Sequence, residues 1–406
     1  MNLLIKPGQV DIVECKLLNT SGNFIDLIEN GMVGEINLHE DIFSNCLSGF
    51  IIVTDTMDVL SNFKLTGDER LSVILKTPTL TSEIREVFHV YKMQGRETIL
   101  RNSNYILNFC SIEQIISENN SISKHYSGKI SDSVGNIFTK WFGDRKLLIE
   151  PTTNDLSFIP AHWSPIKTIN WLTSKSISPD GFSDYMFFQT TQSYEYVPLS
   201  KLIEAKPVRE YVCRDFDAMT ASDDIEEAYR TAEIVSQSVS YDYLKSLNSG
   251  MYAGKMYTFD ITNRQIKRNT FDYIDDAGKR LNDNPLMRHD FTRSPDSNIN
   301  YVHKNDYLFG KKIPVKYDVL KRASSIAQLN SFKLTIRVHG RTDMKIGTTI
   351  KLKATDFRNI SESEINDNSA ISDYYSGKYL VTAIRHVFST GNVHEAYIEI
   401  VKDSFL

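Results

Sequence analysis

The sequence predicts an α+β fold that is predominantly antiparallel β. Three observations carry this. Residues 378–401 read KYLVTAIRHVF, then STGN, then VHEAYIEIV, two β-rich runs around a short polar connection with Gly391 and Asn392, which is the pattern of a hairpin. Upstream, Leu334, Ile336 and Val338 alternate with Lys333, Thr335 and Arg337, and Ile350 and Leu352 alternate with Lys351 and Lys353. A period of two buries one face of a strand and leaves the other in water. Between residues 113 and 205 the apolar spacing turns helical, which adds helices to the strands.

Taken in order, residues 10–112 read mostly as strands. Ile36 and Leu38 share one face of a first clear strand. Ser48 to Thr54 contains Gly49 and then Phe50-Ile51-Ile52-Val53, apolar on both faces. Such a strand is covered on both sides, by a core or by a partner chain. Thr54-Asp55 caps a short helix carrying Met57, Leu60 and Phe63. Gly67 closes that helix, the strand of Leu71, Val73 and Leu75 follows, and Pro78 stops it. Ser131 or Asp132 caps a helix with Val134, Ile137, Phe138, Trp141 and Phe142 on its stripe and Gly143 at its end. Ser164-Pro165 starts another, with Ile166, Ile169 and Leu172 inward. Residues 185–189 and 194–197 form a hairpin.

Residues 207–217 read as a strand. Residues 222–232 read as a helix with Asp223, Asp224, Glu226 and Glu227 early, where negative charge suits the helix dipole. Residues 234–240 and 251–261 read as further strands. The stretch 262–318 is rich in Asn, Asp and Arg and weak in periodicity, and reads as an insertion with long loops. A helix over 319–329 hands over to the strands described first, and 357–376 is a polar loop with Glu362 and Glu364.

The two ends of the chain echo each other. Lys64-Leu65-Thr66-Gly67 leads into ERLSVILK as Lys345-Ile346-Gly347 leads into TTIKLK. Then VFHVYKM and NYILNFCS echo KYLVTAIRH and AYIEIVKDS, setting Tyr105-Ile106-Leu107 beside Tyr397-Ile398-Glu399. Either a β unit is duplicated, or two antiparallel segments share an alternation common to all such segments.

Composition narrows the function. With 406 residues the chain suits two to four domains, and 41% hydrophobic and 24% charged residues are ordinary for a globular protein. A net charge of -5 favours neither nucleic acid nor an anionic membrane as an obligate partner. MNLLIKPG is broken too soon by Lys6 and Pro7 for a signal peptide. No run approaches the roughly 20 apolar residues that span a bilayer. Cys15, Cys46, Cys110 and Cys213 lack CxxC spacing, which fits folding in a reducing cytoplasm.

Catalytic patterns are missing. There is no HExxH, no GxSxG and no His/Cys cluster at ligand spacing. His386 and His394 sit on opposite arms of the last hairpin without a third ligand and read as ordinary strand histidines, and His339 falls in the solvent-facing phase. Ser127-Gly128-Lys129-Ile130-Ser131 fails as a phosphate loop, because Ser123 replaces its first glycine and Ile130 its Ser/Thr. No acidic pair is selected by spacing for glycosidase chemistry. Arg264, Lys267 and Arg268 with Phe271 and Tyr273 suggest a nucleic-acid surface, but Asp272, Asp275 and Asp276 offset the charge and a mixed surface is the reading. No catalytic, cofactor or metal residue is assigned.

The ordered series of segments resembles the baseplate hub proteins of contractile phage tails, a group that includes the late-control tail proteins and the hub part of the VgrG spikes of type VI secretion. The resemblance lies in GEINLHEDIFSNCLSGFIIVTD with LTGDERLSVILK, in HYSGKISDSVGNIFTKWF, and in FIPAHWSPIKTINWLTSKSIS with YMFFQTTQSYEYVPLSKL. It extends to FKLTIRVHGRTDMKIGTTIKLK with SGKYLVTAIRHVF and the last strand. It is weak over 262–318. No spike domain follows the last strand in this sequence, so the phage hub is the better match.

The resemblance implies two tandem tube-like β-barrel domains with intervening and inserted α/β domains. The expected division is 1–112 for the first barrel, 113–205 for a small α/β domain, 206–261 with 319–406 for the second barrel, and 262–318 for the insertion. It also implies a homotrimer with pseudo-sixfold symmetry, joining a hexameric tail tube to a trimeric central spike. Expected partners are the chain itself, the spike and tube proteins and other baseplate proteins, with DNA only in passage and no stable membrane insertion. The expected place is the virion tail baseplate, assembled in the host cytoplasm, with no cofactor and no enzymatic role. Candidate subunit-interface positions are Phe50, Ile51, Ile52 and Val53, with Tyr379, Val381 and Val387; a helix of the same chain covering the second face is the alternative. A tail-associated cell-wall hydrolase and a carbohydrate-binding tail-tip adhesin are the rival functions, and exposed Trp141, Trp163 or Trp171 would favour the adhesin.

Overall fold

Most strands of the chain join one thirteen-stranded sheet, and the strand order within it repeats. The computed structural model describes residues 6–99, 102–143, 145–214, 225–240, 242–260, 264–275, 280–285, 298–303, 318–329, 331–354 and 372–406. The first unit contains β1 (Asp11–Leu18), β2 (Phe24–Asp26), β3 (Val33–Asp41), β4 (Ser48–Asp55), β5 (Arg70–Lys76), β6 (Glu83–Ile99) and β7 (Asn102–Ser111). They pair in the order β2-β1-β5-β6-β7-β4-β3. The alternation read from the sequence is what is buried: Ile36, Leu38, Leu71, Val73 and Leu75 all enter one core with Ile51, Val53, Tyr105, Leu107 and Phe109. Between β4 and β5 the expected short helix is a single π-helical turn, Leu60–Lys64, without a side-chain cap; Asp55 holds the approach to it, accepting from Met57 N at 3.0 Å and Val59 N at 2.8 Å.

A smaller α/β layer follows: α1 (Ile112–Glu118), β8 (Tyr126–Lys129), α2 (Ile130–Phe142), β9 (Leu147–Ile149), β10 (Asp155–Phe158), α3 (Pro165–Thr173), β11 (Tyr185–Gln189), β12 (Tyr194–Pro198) and α4 (Leu199–Glu204). Ser164 caps α3 as expected, accepting from Lys167 N. α2 begins one residue before Ser131, without a side-chain cap, and stops at Gly143. Val134, Ile137, Phe138, Ile166, Ile169 and Leu172 share a core with the β11–β12 hairpin, whose residues are all buried.

Next come β13 (Arg209–Cys213), α5 (Ile225–Ala228), β14 (Thr231–Ser240), α6 (Tyr243–Asn248), β15 (Ala253–Asp260), β16 (Gln265–Asp272), β17 (Asn284–Pro285), β18 (Ile299–His303) and α7 (Asp318–Leu329). Three expectations are corrected here. The helix expected to reach residue 232 ends at Ala228, because 231–240 is β-branched enough to pair with a later strand; residues 222–224 lie outside the described residues. The stretch 262–318, expected to be loops, contains strands. And β15, expected in the second barrel, pairs instead with β16 and β18 in a separate sheet, because its nearest partner in sequence reaches it first through a hairpin. That sheet rests on α7 through Met256, Phe271 and Leu320.

The chain closes with β19 (Phe332–His339), β20 (Thr349–Lys353), β21 (Gly377–Ser389), β22 (Val393–Val401) and β23 (Ser404–Phe405). The order β21-β20-β13-β14-β19-β22, completed by pairing of β22 with β21, is a closed six-stranded barrel. Its core holds Leu334, Ile336, Val338, Leu352, Ile384 and Ile398. Polar loop residues 355–371 lie outside the described residues.

The duplication is therefore present at the level of topology. β1, β5, β6, β7, β4 and β3 follow one another as β13, β20, β21, β22, β19 and β14 do. Gly67 (φ 89°) and Gly347 (φ 73°) occupy the same turn before β5 and β20, in a backbone region that favours glycine. The units differ in two ways. β1 runs antiparallel to β5 but β13 runs parallel to β20, and among the described residues only the second unit has its closing pair, β13 with β14. The echo read from the sequence is one residue out of phase. Tyr105 and Leu107 point inward, whereas Ile398 is buried between half-exposed neighbours, so Leu107 matches Ile398. A one-residue slip exchanges the faces of a strand.

Candidate functional site: the seam between the two strand units

The two units are joined by a strand pair. β3 lies antiparallel to β21 from Ala383 opposite Asp41 to Ser389 opposite Glu35. Arg385 Nε donates to Asn37 Oδ1 across this seam at 2.8 Å. The N-terminal segment adds a second tie: His394 N donates to Gly8 O at 2.7 Å, and Val10 N to Asn392 O at 3.0 Å.

An acidic side chain is sealed inside the seam. Glu40 falls in the inward phase of Ile36 and Leu38 and accepts from His386 Nε2 at 3.0 Å, with both side chains fully buried. His386 Nδ1 lies 2.9 Å from His394 Nε2. Phe388 stacks on the His394 ring at 4.2 Å, and Gly340 lies against its other side, where a Cβ would stand 2.3 Å from ring atoms. Burial first, and then His386, hold the His394 pKa well below its usual value. With the proton of a neutral His394 assigned to Nε2, that N–H donates to His386 Nδ1, and His386 Nε2–H donates to Glu40 Oε1. His394 Nδ1 and Glu40 Oε2 then remain as buried acceptors without partners among the described residues. The chain of three groups is linear and closed to solvent, so it has the character of an internal clamp and not of a reaction centre. Among the described residues no group of three His, Cys, Asp or Glu side chains could hold a metal ion.

The facing of His386 and His394 was legible from the hairpin; the third member, Glu40, was not assigned, although an acid in phase with Ile36 and Leu38 is a signal. His339 corrects another expectation. It is not solvent-facing but 5% exposed, beside the Tyr229 ring at 6.3 Å. Burial lowers its pKa to about 4.

The seven candidate interface residues separate by face. Ile51 and Val53 are in the first core, and Tyr379 and Val381 in the second. Phe50, Ile52 and Val387 are half-buried on outward faces. The barrel is filled rather than hollow: a cavity of about 120 Å³ at its mouth is lined by Tyr211, Ile350, Val381, Ile384 and Ile398 among others. The small α/β layer is pinned to both units. Gln189 Oε1 accepts from Leu47 N (2.9 Å), Ser111 Oγ (2.7 Å) and Tyr194 OH (2.9 Å). Arg145 bridges Glu86 and Glu113 at 2.6 Å each, Lys345 of the second unit, ahead of β20, pairs with Glu195 at 3.2 Å, and Arg322 of α7 donates to Tyr185 O at 2.8 Å. Trp141, Trp163 and Trp171 are half-buried, with Trp163 and Trp171 at 5.5 Å from each other.

By sequence the chain matches no family model, and no curated protein matches it. By structure it is similar to the 43 kDa tail protein of prophage MuSo2 from Shewanella oneidensis, with TM-score 0.57 and 9% identity over 97% of this chain and 99% of that one. It is similar also to the tail protein from Neisseria meningitidis MC58, with TM-score 0.55 and 10% identity over 96% of each chain. Prophage tail protein gp18 from Listeria monocytogenes matches with TM-score 0.49 and 9% identity over 96% of this chain and 95% of that one. The first two span nearly the whole of both chains, and the chain thus has the fold of phage tail proteins.

Proposed function

We propose that this protein is a structural component of a contractile phage tail, a homotrimeric baseplate hub that joins the hexameric tube to a trimeric spike. The observation that carries the reading is the repeated strand order, with its two units joined edge to edge through β3 and β21. Three chains of two like units offer six similar contacts to a sixfold tube while keeping true threefold symmetry for a spike. The interior of each unit is packed with apolar side chains, so DNA or protein in transit would pass between units and not through one. The work of such a part is mechanical: it catalyses nothing and bears load. Its expected place is the virion tail baseplate, reached after assembly in the host cytoplasm, with spike, tube and other baseplate proteins as partners. No helix of the described residues is long and apolar enough to cross a membrane.

The division into two strand units and a small α/β domain belongs to the same reading, with the inserted part now including β15 and its sheet partners β16 and β18. Of the candidate interface residues, Phe50, Ile52 and Val387 have the outward side available to a neighbour. Trp141, Trp163 and Trp171 are half-buried and not exposed, so they do not favour a carbohydrate-binding tip. Light scattering with imaging down the symmetry axis tests the hub: a threefold ring with six lobes is expected, and a monomer in solution refutes it.

A further inference from the structure

We propose that copies of this chain join by antiparallel strand pairing, the Met93–Ile99 edge of β6 in one copy against the Glu233–Ser240 edge of β14 in the next. The inference rests on the trimer reading and specifies its interface.

The chain contains its own template. In the shared strand order β21 corresponds to β6 and β3 to β14. β21 pairs with β20 over Gly377–Leu380, passes a bulge at Val381/Ala383, and gives the rest of that edge to β3. β6 does the same up to the last step. It pairs with β5 over Glu83–His89 and bulges at Val90/Lys92. From there residues 91–97 are exposed, and among the described residues only β7 pairs with them, on the other edge. Met93 is 43% exposed where its counterpart Ile384 is 2% exposed.

β14 has the complementary opening. It meets β13 only at Thr231 and Ala232. Beyond them, that edge has no partner strand among the described residues, and Val235 is 50% exposed. Its counterpart β3 uses the same edge to bind β21. Two open edges therefore stand where the matching edges inside the chain are filled by each other. Unpaired edge amides and carbonyls are templates for another strand. Carrying the internal register across sets Glu97 opposite Ser236 and Thr98 opposite Ile234.

The test uses the full chain with Glu97→Cys and Ser236→Cys together, oxidised mildly, beside each single variant and the parent. Apposed thiols should give at least about tenfold more cross-linked chain in the double variant than in either single one, in a ladder that stops at three chains. Hydrogen exchange on the parent should show the amides of 91–97 protected in the assembly. A trimer in solution whose double variant does not cross-link and whose 91–97 amides exchange freely overturns the strand pairing and leaves the trimer standing. A monomer overturns both. Cross-linking by Glu97→Cys alone points to β6 against β6 and overturns the register and partner proposed.

Discussion

Replacing Glu40 by alanine should weaken the seam more than any other single truncation on β3. The carboxylate is fully buried and accepts one hydrogen bond, from His386 Nε2 at 3.0 Å. Alanine leaves that N–H buried without an acceptor, which costs about 1–3 kcal/mol. It also empties the space of a buried side chain, which brings the expected total to about 2–4 kcal/mol. Glu40→Gln keeps an acceptor oxygen but turns an amide toward the spot where Oε2 has no partner, for a smaller loss of about 1–2 kcal/mol. Removing His386 as well, as in Glu40→Ala with His386→Phe, moves the stranded donor to His394 Nε2–H, which donates to His386 in the parent, so the double variant should recover little of the loss. Urea unfolding of the single and double variants measures this, with hydrogen exchange on β3 and β21 showing whether the seam opens first. A Glu40→Ala variant within about 0.5 kcal/mol of the parent, the range of ordinary surface changes, would refute the clamp.

Three further outcomes are expected. Gly340→Ala places a Cβ 2.3 Å from the His394 ring and should cost roughly 1–3 kcal/mol by overpacking, whereas Gly391→Ala, with nothing nearer than 3.8 Å, should be close to neutral; a thermal melt of the two separates them. His339 and His394 both bind protons less readily folded than unfolded, so stability is full above pH ~6.5 and falls as the pH drops below it. For His339, with its folded pKa at about 4, the loss at pH 5 is at most about 2 kcal/mol before any reduction by solvent screening, and His339→Gln should lessen the change of melting temperature across that window. Arg145→Lys cannot reach Glu86 and Glu113 in the same bidentate way; it should speed proteolysis of the small α/β layer and leave the second barrel's amide protection unchanged.

Much of the fold was legible because burial follows local periodicity. Leu334, Ile336 and Val338 alternate in the sequence and are buried in the core, and the same holds for Leu71, Val73 and Leu75. Ser164-Pro165 starts its helix and Gly143 stops another, since caps act over one turn. What periodicity does not contain is the identity of a distant partner. Tyr379 and Val381 read from the sequence as subunit-interface positions, yet a bulge at Val381/Ala383 and the closing of the barrel bury them within the chain's own core. His339 is outward by alternation and covered by Tyr229, which comes from a different part of the chain. Glu40 and His386 meet across most of the sequence, so neither announces the other. The echo between the ends was real but misaligned by one residue, because similar alternations can be overlaid in more than one register.

The unequal closure of the two units has a consequence for the birth of the molecule. All strands of the first unit lie between residues 11 and 111, so it can collapse while the rest is still being synthesised. The barrel cannot: β13 must wait for β20, and the final stave arrives only with Val401. Distant pairings of that kind form slowly and leave strand edges bare meanwhile. The early unit therefore supplies, in β3, a finished rail on which the late β21 can align, and the order of translation becomes part of how the architecture is reached.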